Sequence, residues 1–342
     1  MADIKSYDLQ NLAGLLDSIG EPRFRAAQLS RWLYERGASS YDEMTDLPKK
    51  LRENLASIAP LTTPEITSRR VSKLDGTRKY LFRFADGTSV ESVGLPTKDR
   101  LTVCFSTQVG CAMGCSFCAT GMSGYLRDLT AGEMVDQVRL VGEDFGVRVT
   151  NAVAMGQGEP FANYAATLGA LRIMNSQDGL GIGARHLTVS TCGILGGIRQ
   201  LSSEPEQFTL AVSLHSAVQQ TRDTLMPGVK GARLPELRIA LEEYATRTGR
   251  RPSLEYALIG GQNDTETELR ALVEFAQGLL VHVNLIPVNT VVGSGLSRSG
   301  PDRAREFVSR LAAVGVEASI RTERGSDIEA ACGQLKQRLE DD

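Results

Sequence analysis

The sequence predicts an α/β fold: an open, partial (β/α)6 barrel preceded by a small helical domain and a β-hairpin. Beyond residue 100, apolar runs of strand length alternate with glycine-containing loops and helical segments. Strands that alternate with helices form parallel βαβ units, and strands buried on both faces are continuous apolar runs. The predicted strands are Leu101–Ser106, Asn151–Met155, Leu187–Ser190, Leu210–Leu214, Leu254–Ile259 and Val281–Ile286.

The chain divides into three predicted parts. Residues 1–66 form small helices, because apolar residues recur there at helical spacing and Gly20 ends the first run. Residues 67–96 are a β-hairpin linker, with turns at the two Asp-Gly pairs, at residues 75–76 and 86–87. Residues 97–342 form the barrel, and Thr130 begins one of its helices with a capping box.

Composition limits the class of protein. The 342 residues are 42% hydrophobic and carry a formal net charge of −3, and no run of about 18 apolar residues occurs. The amino terminus lacks the apolar region of a signal peptide. Six cysteines, three of them clustered, favour the reducing cytoplasm over a disulfide framework. The slight acidity argues weakly against nucleic-acid binding, so an RNA partner requires a local basic patch.

Three cysteines follow the first predicted strand with the spacing C-x3-C-x2-C: Cys111, Cys115 and Cys118. Three thiolates hold three irons of an iron–sulfur cluster and leave the fourth iron open to a substrate, whereas structural clusters and zinc sites take four protein ligands. A zinc knuckle or three unrelated cysteines is the alternative, but no histidine lies near in the sequence. The motif resembles the signature of the radical S-adenosylmethionine (SAM) superfamily.

Polar residues follow several of the other predicted strands. Gly158 and Glu159 belong to a glycine loop whose carboxylate can pair with an ammonium group. An ordinary strand-to-helix turn explains this loop equally well when it is taken alone. Serine, histidine and asparagine side chains at other strand ends are typical of caps and turns as well as of ligand contacts. These residues are Ser190, Ser213, His215 and Asn289, and the apolar Leu214 lies between two of them.

Three further residues have an ordinary structural interpretation when each is considered by itself. Cys104 on the first barrel strand and Cys332 near the carboxyl terminus are typical of buried small hydrophobic residues. Glu91 on the second hairpin is, by spacing alone, an exposed strand carboxylate.

Several stretches together resemble the RlmN/Cfr family of RNA adenosine methyltransferases. They are residues 101–111, 155–160, 188–193, 211–215, 283–289 and 327–335, in family order. The helical front, with Phe24–Tyr34, resembles the RNA-binding extension of the RlmN branch. Two departures occur, since Gln157 stands where the family often has Met and Cys192 where it often has Ser.

The resemblance implies the cofactors and the roles of the site residues. Cys111, Cys115 and Cys118 would ligate a [4Fe–4S] cluster, and the glycine loop with the strand-end residues named above would surround SAM. Cys332 matches the cysteine that becomes S-methylated, Cys104 its partner thiol and Glu91 the proposed proton acceptor.

The implied reaction uses two SAM molecules per turnover. One methylates Cys332, and the other yields a radical that removes hydrogen from the new methyl group. The methylene radical adds to the adenine, a proton leaves the ring carbon, and Cys104 attacks Cys332 to release the product with a disulfide. The implied partners are 23S rRNA, tRNA and an electron donor such as flavodoxin or ferredoxin, and the enzyme is expected to be a monomer.

A basic run in the hairpin is the predicted RNA-binding face, together with the helical front. Its members are Arg69, Arg70, Lys73, Arg78, Lys79 and Arg83, interrupted by one acid, Asp75. A solvated hairpin surface is the alternative. For the whole chain, the alternatives are methylation of C8 instead of C2, another radical SAM methyltransferase, or a non-catalytic iron–sulfur RNA-binding protein.

Overall fold

A ten-stranded sheet forms the centre of the molecule. The computed structural model describes residues 2–289, 291 and 293–335. Within that part the strand order is β1-β2-β3-β4-β7-β8-β9-β10-β11-β12, and β5 and β6 pair separately. The strands are β1 Glu65–Val71, β2 Arg78–Arg83, β3 Ser89–Thr97, β4 Arg100–Cys104, β5 Gln108–Gly110, β6 Tyr125–Asp128, β7 Asn151–Ala154, β8 Leu187–Thr191, β9 Thr209–Ser213, β10 Ser253–Leu258, β11 His282–Pro287 and β12 Glu317–Ile320.

The helices cover the parallel strands or form the amino-terminal part. They are α1 Leu9–Ser18, α2 Arg25–Ser30, α3 Lys49–Ile58, α4 Ala119–Ser123, α5 Ala131–Phe145, α6 Tyr164–Asn175, α7 Leu195–Leu201, α8 Gln219–Leu225, α9 Leu234–Thr248, α10 Glu266–Ala276 and α11 Pro301–Ala312. The predicted capping box is confirmed, because the Thr130 side chain accepts from the Glu133 N–H and the Glu133 carboxylate accepts from the Thr130 N–H.

The parallel part of the sheet confirms the predicted α/β fold. Within the ten-stranded sheet, each pairing along the order β4-β7-β8-β9-β10-β11-β12 is parallel, and all six predicted strands are present. The sequence analysis missed a seventh parallel strand, β12, at the edge of the sheet. Its residues are mostly exposed, so it lacks the continuous apolar run by which a strand buried on both faces is recognised.

The predicted hairpin is a three-stranded antiparallel meander. Turns at the two Asp-Gly pairs connect β1 to β2 and β2 to β3, and β3 then pairs antiparallel with β4. The meander therefore extends the barrel sheet instead of standing apart from it as a linker. Among the described residues, no helix is both long and apolar enough to cross a membrane.

The amino-terminal helices are fixed to the barrel by a buried ion pair. The Lys5 ammonium lies 2.9 Å from Asp136 on α5, and both side chains are almost fully buried. Arg139 also bonds to Asp136 at 3.1 Å, and the Tyr34 hydroxyl donates to the Lys5 carbonyl at 2.8 Å. The helical region and the barrel share one hydrophobic core.

The carboxyl-terminal segment, residues 321–335, crosses from the β12 edge back to the meander. Arg324 donates to the Pro96 carbonyl at 2.7 Å, and the Gly325 N–H donates to the Asp75 carboxylate at 3.1 Å. The Lys73 N–H donates to Asp327 at 2.9 Å. The segment therefore spans the carboxyl-terminal side of the parallel strands, where barrels of this type hold their active sites.

Candidate active site

The three clustered cysteines lie on a loop between β5 and α4. Packing fixes this loop from two sides: the Ser116 N–H donates to the Leu225 carbonyl of α8 at 2.9 Å, and the Ala119 N–H donates to the Gly333 carbonyl at 2.8 Å. Cys111, Cys115 and Cys118 all line one cavity of about 170 Å³. We call it the cysteine-loop chamber.

The three thiols do not form a site for a single ion. Among the described residues, no group of three or more His, Cys, Asp or Glu side chains is placed to hold one metal ion. A zinc site requires its ligand atoms to converge within about 2.3 Å of one point. Three thiolates of a [4Fe–4S] cluster each bind a different iron, so a cluster does not require the three thiols to converge on one point.

The loop after β7 brings Gly158 and Glu159 to the same chamber. Gly158 has φ +102°, and a Cβ there would lie 2.6 Å from the Cβ of Gln108. A Cβ on Gly156 would similarly lie 2.7 Å from the Phe105 carbonyl. These glycines allow the loop to pack against the chain that leads to the cysteines, a role that the sequence analysis did not predict.

Glu159 is buried, with 2% of its surface exposed, and it is held from two sides. One carboxylate oxygen accepts from the Phe161 N–H at 2.9 Å, and the other accepts from the Cys192 N–H and thiol, both at 2.7 Å. Burial raises the pKa of Glu159, whereas these hydrogen bonds lower it. Cys192 also lines the chamber, so this departure from the family pattern contacts the acid directly.

The strand ends supply further polar groups to the chamber. Ser190 and Ser213 line it from the ends of β8 and β9, and His215 follows β9 with φ +55°. The His215 Nδ1 accepts from the Ala257 N–H at 2.9 Å, and burial lowers its pKa to about 3. The neutral ring therefore carries its proton on Nε2. Leu214 differs from its neighbours, because its side chain packs in the main hydrophobic core and does not line the chamber.

Asn289 connects the strand ends to the carboxyl-terminal segment. Its amide nitrogen donates to the Cys332 carbonyl at 3.0 Å. Its amide oxygen is buried and has no hydrogen-bond partner among the described residues. An unsatisfied buried acceptor in a cavity wall favours a ligand that donates to it.

Cys332 lies where two cavities meet. It lines the cysteine-loop chamber and also a second cavity of about 70 Å³ that includes Cys104, Leu95 and Leu335. We call this second cavity the Cys104 chamber. Arg321 and Asn289 likewise line both. The structure thus brings together the three loop cysteines and Cys332 through one cavity, and Cys332 and Cys104 through the other.

The environment of Cys104 keeps its thiol protonated. Burial, and to a smaller extent the neighbouring Cys332, raises the pKa of Cys104 to about 12, against the lowering influence of Arg321. All six cysteines are free thiols in the structure. Arg321 is largely buried, and Cys332 is the main cause that raises the pKa of its guanidinium.

Glu91 is buried, contrary to the expectation of an exposed strand carboxylate. Its carboxylate lies 3.1 Å from the Lys79 ammonium, which also donates to the Glu329 carbonyl at 3.2 Å. Val93 on β3 pairs with Cys104 on β4, and Glu91 lies two residues before Val93 and so on the same face of the sheet. Glu91 lines neither chamber, but it lies on the Cys104 side of the sheet and is linked through Lys79 to the segment that carries Cys332.

Most of the predicted basic face is neutralised within the protein. Arg69 and Arg78 both pair with Asp144, Lys79 pairs with Glu91, and Arg83 pairs with Glu65. The side chains of Arg70 and Lys73 are exposed and have no ion pair within the described part of the chain. These two residues are the free charges of the predicted RNA face.

Sequence reasoning missed two charged residues in the wall of the cysteine-loop chamber, Glu255 and Arg321. Glu255 on β10 accepts from Ser253 at 2.6 Å and from Asn284 at 2.8 Å. Arg321 follows β12, the strand that was not predicted. A charged residue within an apolar strand was the available signal for Glu255, because charges are rarely buried there without a partner.

Comparison with family models connects the two parts of the fold to known proteins. Residues 2–61 match the model of the "Ribosomal RNA large subunit methyltransferase N-terminal domain", and residues 105–276 match the radical SAM superfamily. Members of that superfamily use SAM and a [4Fe–4S] cluster.

Several curated proteins and one solved structure match nearly the whole chain. A protein of Symbiobacterium thermophilum named "Probable dual-specificity RNA methyltransferase RlmN" is 44% identical over 98% of this chain and 92% of its own length. A protein of the same name from Moorella thermoacetica is also 44% identical, over 98% and 97%. The crystal structure of a radical SAM methyltransferase from Sphaerobacter thermophilus is 45% identical, with a TM-score of 0.91, and covers 98% of this chain and 99% of its own.

Proposed function

Because this chain belongs to the RlmN family of radical SAM RNA methyltransferases, we propose that it methylates C2 of an adenosine in 23S rRNA and tRNA through an S-methylated Cys332. The observation that carries the proposal is the position of Cys332 between the two chambers. One chamber gives it access to the cysteine loop, and the other gives it access to Cys104. A non-catalytic RNA-binding protein requires neither arrangement.

The residues of the cysteine-loop chamber fit the cofactors. Cys111, Cys115 and Cys118 would hold the cluster, and Glu159 would pair with the SAM ammonium. Ser190, Ser213, the His215 Nε2 proton and the unsatisfied Asn289 oxygen offer donors and acceptors to the rest of SAM. When bound, cluster and SAM supply the methyl group and the radical that removes hydrogen from it.

Cys332 and Cys104 would act in sequence because their environments differ. Cys332 lines the cysteine-loop chamber beside Arg321, and it would be methylated there as a nucleophile. Cys104 is held as a thiol by burial and by the charge of Cys332. Alkylation of the Cys332 sulfur would come first, because Cys104 must lose its proton before it can react. Its thiolate can then attack the Cys332 sulfur, with formation of the disulfide and release of the RNA carbon.

Glu91 is the proposed acceptor for the proton lost from the adenine ring carbon. The Glu91 carboxylate pairs with the Lys79 ammonium at 3.1 Å, and the ionised form of a carboxyl group is the form that accepts a proton. Glu91 also lies on the Cys104 side of the sheet, where the two proposed steps of product release would occur together.

The RNA would reach Cys332 with its target adenine turned out of the stack, because a paired base cannot enter a barrel. Arg70 and Lys73 would contact phosphates, together with the amino-terminal helices. We further propose two molecules of SAM per turnover, an electron donor such as flavodoxin or ferredoxin, a monomeric enzyme and a cytoplasmic location, in keeping with the six free thiols.

The position of methylation distinguishes the proposal from methylation at C8. RNA that carries deuterium at C2 of the target adenine should lose the label on reaction with purified enzyme, SAM and reductant, and nucleoside mass spectrometry should show 2-methyladenosine. RNA labelled at C8 is the matched control and should keep its deuterium. Formation of 8-methyladenosine would contradict the C2 proposal and leave the proposed cysteine roles intact.

A further inference from the structure

Arg222 on α8 is a fully buried cation without a complete set of partners. It is 0% exposed and is one of the largest fully buried side chains of the protein. One terminal nitrogen, Nη2, donates to the Cys192 carbonyl at 2.6 Å and lies 3.4 Å from the Ser213 carbonyl. Its Nε and Nη1 have no hydrogen-bond partner in the described part of the chain.

Burial lowers the pKa of Arg222, and the groups that oppose this shift are Cys192, Asp223 and Cys115. Two of the three are thiols of the cysteine-loop chamber. A buried cation is costly unless a counter-charge and hydrogen bonds compensate for the lost hydration. The polypeptide itself supplies little compensation here, which indicates that the missing negative charge belongs to a bound group.

The position of α8 shows where that group lies. The Leu225 carbonyl accepts from the Ser116 N–H, between Cys115 and Cys118, and Met226 belongs to an apolar cluster that Cys115 and Met113 pack against. The Cys192 carbonyl that binds Arg222 belongs to the same residue whose N–H and thiol bind Glu159. Arg222 is therefore placed behind the cysteine loop and the end of β8.

We propose that Arg222 is the buried counter-cation of the iron–sulfur cluster and raises the reduction potential of that cluster. The inference rests on the proposed cluster site at Cys111, Cys115 and Cys118. Three thiolates outweigh the positive charge of an oxidised cluster core, and one-electron reduction adds another negative charge. A fixed cation in a medium of low dielectric constant favours the more negative, reduced form. An electron donor of ordinary strength can then reduce the cluster.

A purely structural role is the competing explanation, because Arg222 also ties together the ends of β8 and β9. Three substitutions separate the two. Arg222→Met removes charge and hydrogen bonds, Arg222→Gln removes the charge but keeps a donor, and Arg222→Lys keeps the charge but loses the planar fork. Arg250→Met is the matched control, because Arg250 bonds to Thr209 at the opposite end of β9, at 2.9 Å.

The experiment is a redox titration of anaerobically reconstituted full-length protein, followed by electron paramagnetic resonance without SAM or RNA. At a fixed potential, the ratio of reduced to oxidised cluster should fall about tenfold in Arg222→Met and Arg222→Gln, a shift of about 59 mV to more negative potential for one electron. Arg222→Lys and Arg250→Met should remain close to the unmodified protein. Iron content is measured on every sample.

The outcomes separate the inference from the proposed function. If the unmodified protein takes up no iron, the cluster site itself is wrong. If the neutral Arg222 variants load iron fully and keep the unmodified potential, only the counter-cation role is overturned. If the neutral variants fail to load iron but Arg222→Lys loads it, the requirement for charge is supported. If all three Arg222 variants fail to load iron, or Arg222→Lys shifts as far as the neutral variants, the structural role is supported and the inference is overturned.

Discussion

The cysteine-loop chamber and the Cys104 chamber share Cys332, yet they are built from different parts of the chain. The first collects strand-end loops of the parallel barrel, with cysteines, Glu159 and small polar residues. The second lies between the meander and the carboxyl-terminal segment, and its wall is formed by residues such as Val93, Leu95 and Ala330. One chamber is rich in groups that bind a polar cofactor, and the other is apolar apart from Cys104 and the residues around Arg321.

The difference indicates that the two chambers serve different steps of the reaction at the Cys332 sulfur. The proposed activation of the methyl group belongs to the polar chamber, and the proposed release of the product belongs to the apolar one. Substitutions in the first should therefore stop the reaction before RNA is attached, whereas substitutions in the second should stop it afterwards.

The largest effect is expected from the cysteine loop. Replacement of Cys111, Cys115 and Cys118 by Ala should abolish iron binding and SAM cleavage, because no thiolates remain to hold the cluster. Iron analysis and detection of 5′-deoxyadenosine measure the two losses. Cys104→Ala, in the other chamber, is the control and should bind about as much iron as the unmodified protein. Zinc in place of iron in protein purified without oxygen would contradict the cluster assignment.

Substitution of Cys332 and substitution of Cys104 should stop the reaction at two different steps. Cys332→Ala should keep its iron but lose RNA methylation entirely, because the methyl carrier is absent. Cys104→Ala should carry the reaction further and accumulate a covalent complex of enzyme and RNA, visible on a denaturing gel. Methylation at the normal rate by Cys332→Ala, or no complex with Cys104→Ala, would remove the basis for the proposed division.

Substitution of Glu159 tests the role of the cysteine-loop chamber in SAM binding without removing a proposed cluster ligand. Glu159→Gln should weaken SAM binding by about tenfold to a hundredfold, because a hydrogen bond to a charged group contributes about 1.5–3 kcal/mol. Calorimetry on reconstituted protein measures the affinity. Cys192→Ser keeps both donors to Glu159 and is the control, for which we expect a change of less than about threefold. Equal affinities for Glu159→Gln and the unmodified protein would show that another group holds the ammonium.

Basic residues without an ion pair should contribute more to RNA binding than basic residues that are paired within the protein. Replacement of both Arg70 and Lys73 by Gln should reduce the slope of log affinity against log salt by about 1.4, since two counterions fewer are released from single-stranded RNA. Replacement of Arg69 and Arg78, which pair with Asp144, should change the slope less. The opposite ranking would move the RNA contact to another surface.

The smallest effect at neutral pH is expected from His215. Its pKa of about 3 in the fold lies below the ordinary value of 6.5, so the unfolded chain binds the extra proton between these values. The free energy of unfolding should therefore be unaffected above pH 6.5 and should fall as the pH is lowered toward 3, by up to about 1.4 kcal/mol per pH unit. Urea unfolding of His215→Gln at several pH values should show a shallower fall. Identical slopes would contradict the buried neutral ring.

The sequence predicted the polar chamber better than the apolar one, and the reason is physical. Parallel strands buried on both faces are visible as apolar runs, and their carboxyl ends must meet at one rim, so motifs after different strands can be placed together. The edge strand β12 and the crossing of residues 321–335 depend on contacts between distant parts of the chain. No local pattern encodes such contacts, and Arg321 was missed for that reason.

The burial of individual side chains and the pairing of charges could not be predicted from the sequence either. The six basic residues of the meander form one run, but the charges of four of them are neutralised by Asp144, Glu91 and Glu65, which come from three different elements. Leu214 stands between two chamber residues in the sequence, yet its side chain points to the core because neighbouring strand residues face opposite sides. Family resemblance assigned it to the site together with its neighbours, and only the structure separates them.

The buried contact between Lys5 and Asp136 has a consequence for the choice of RNA. The helical domain shares one hydrophobic core with the barrel and is joined to α5 by this buried ion pair, so a rotation of the domain would expose both to water. The distance between the surface of the helical domain and Cys332 is therefore expected to stay fixed. On the proposed function, two RNAs of different overall shape would both be substrates only if each presents its target adenine at the same offset from a common site of contact.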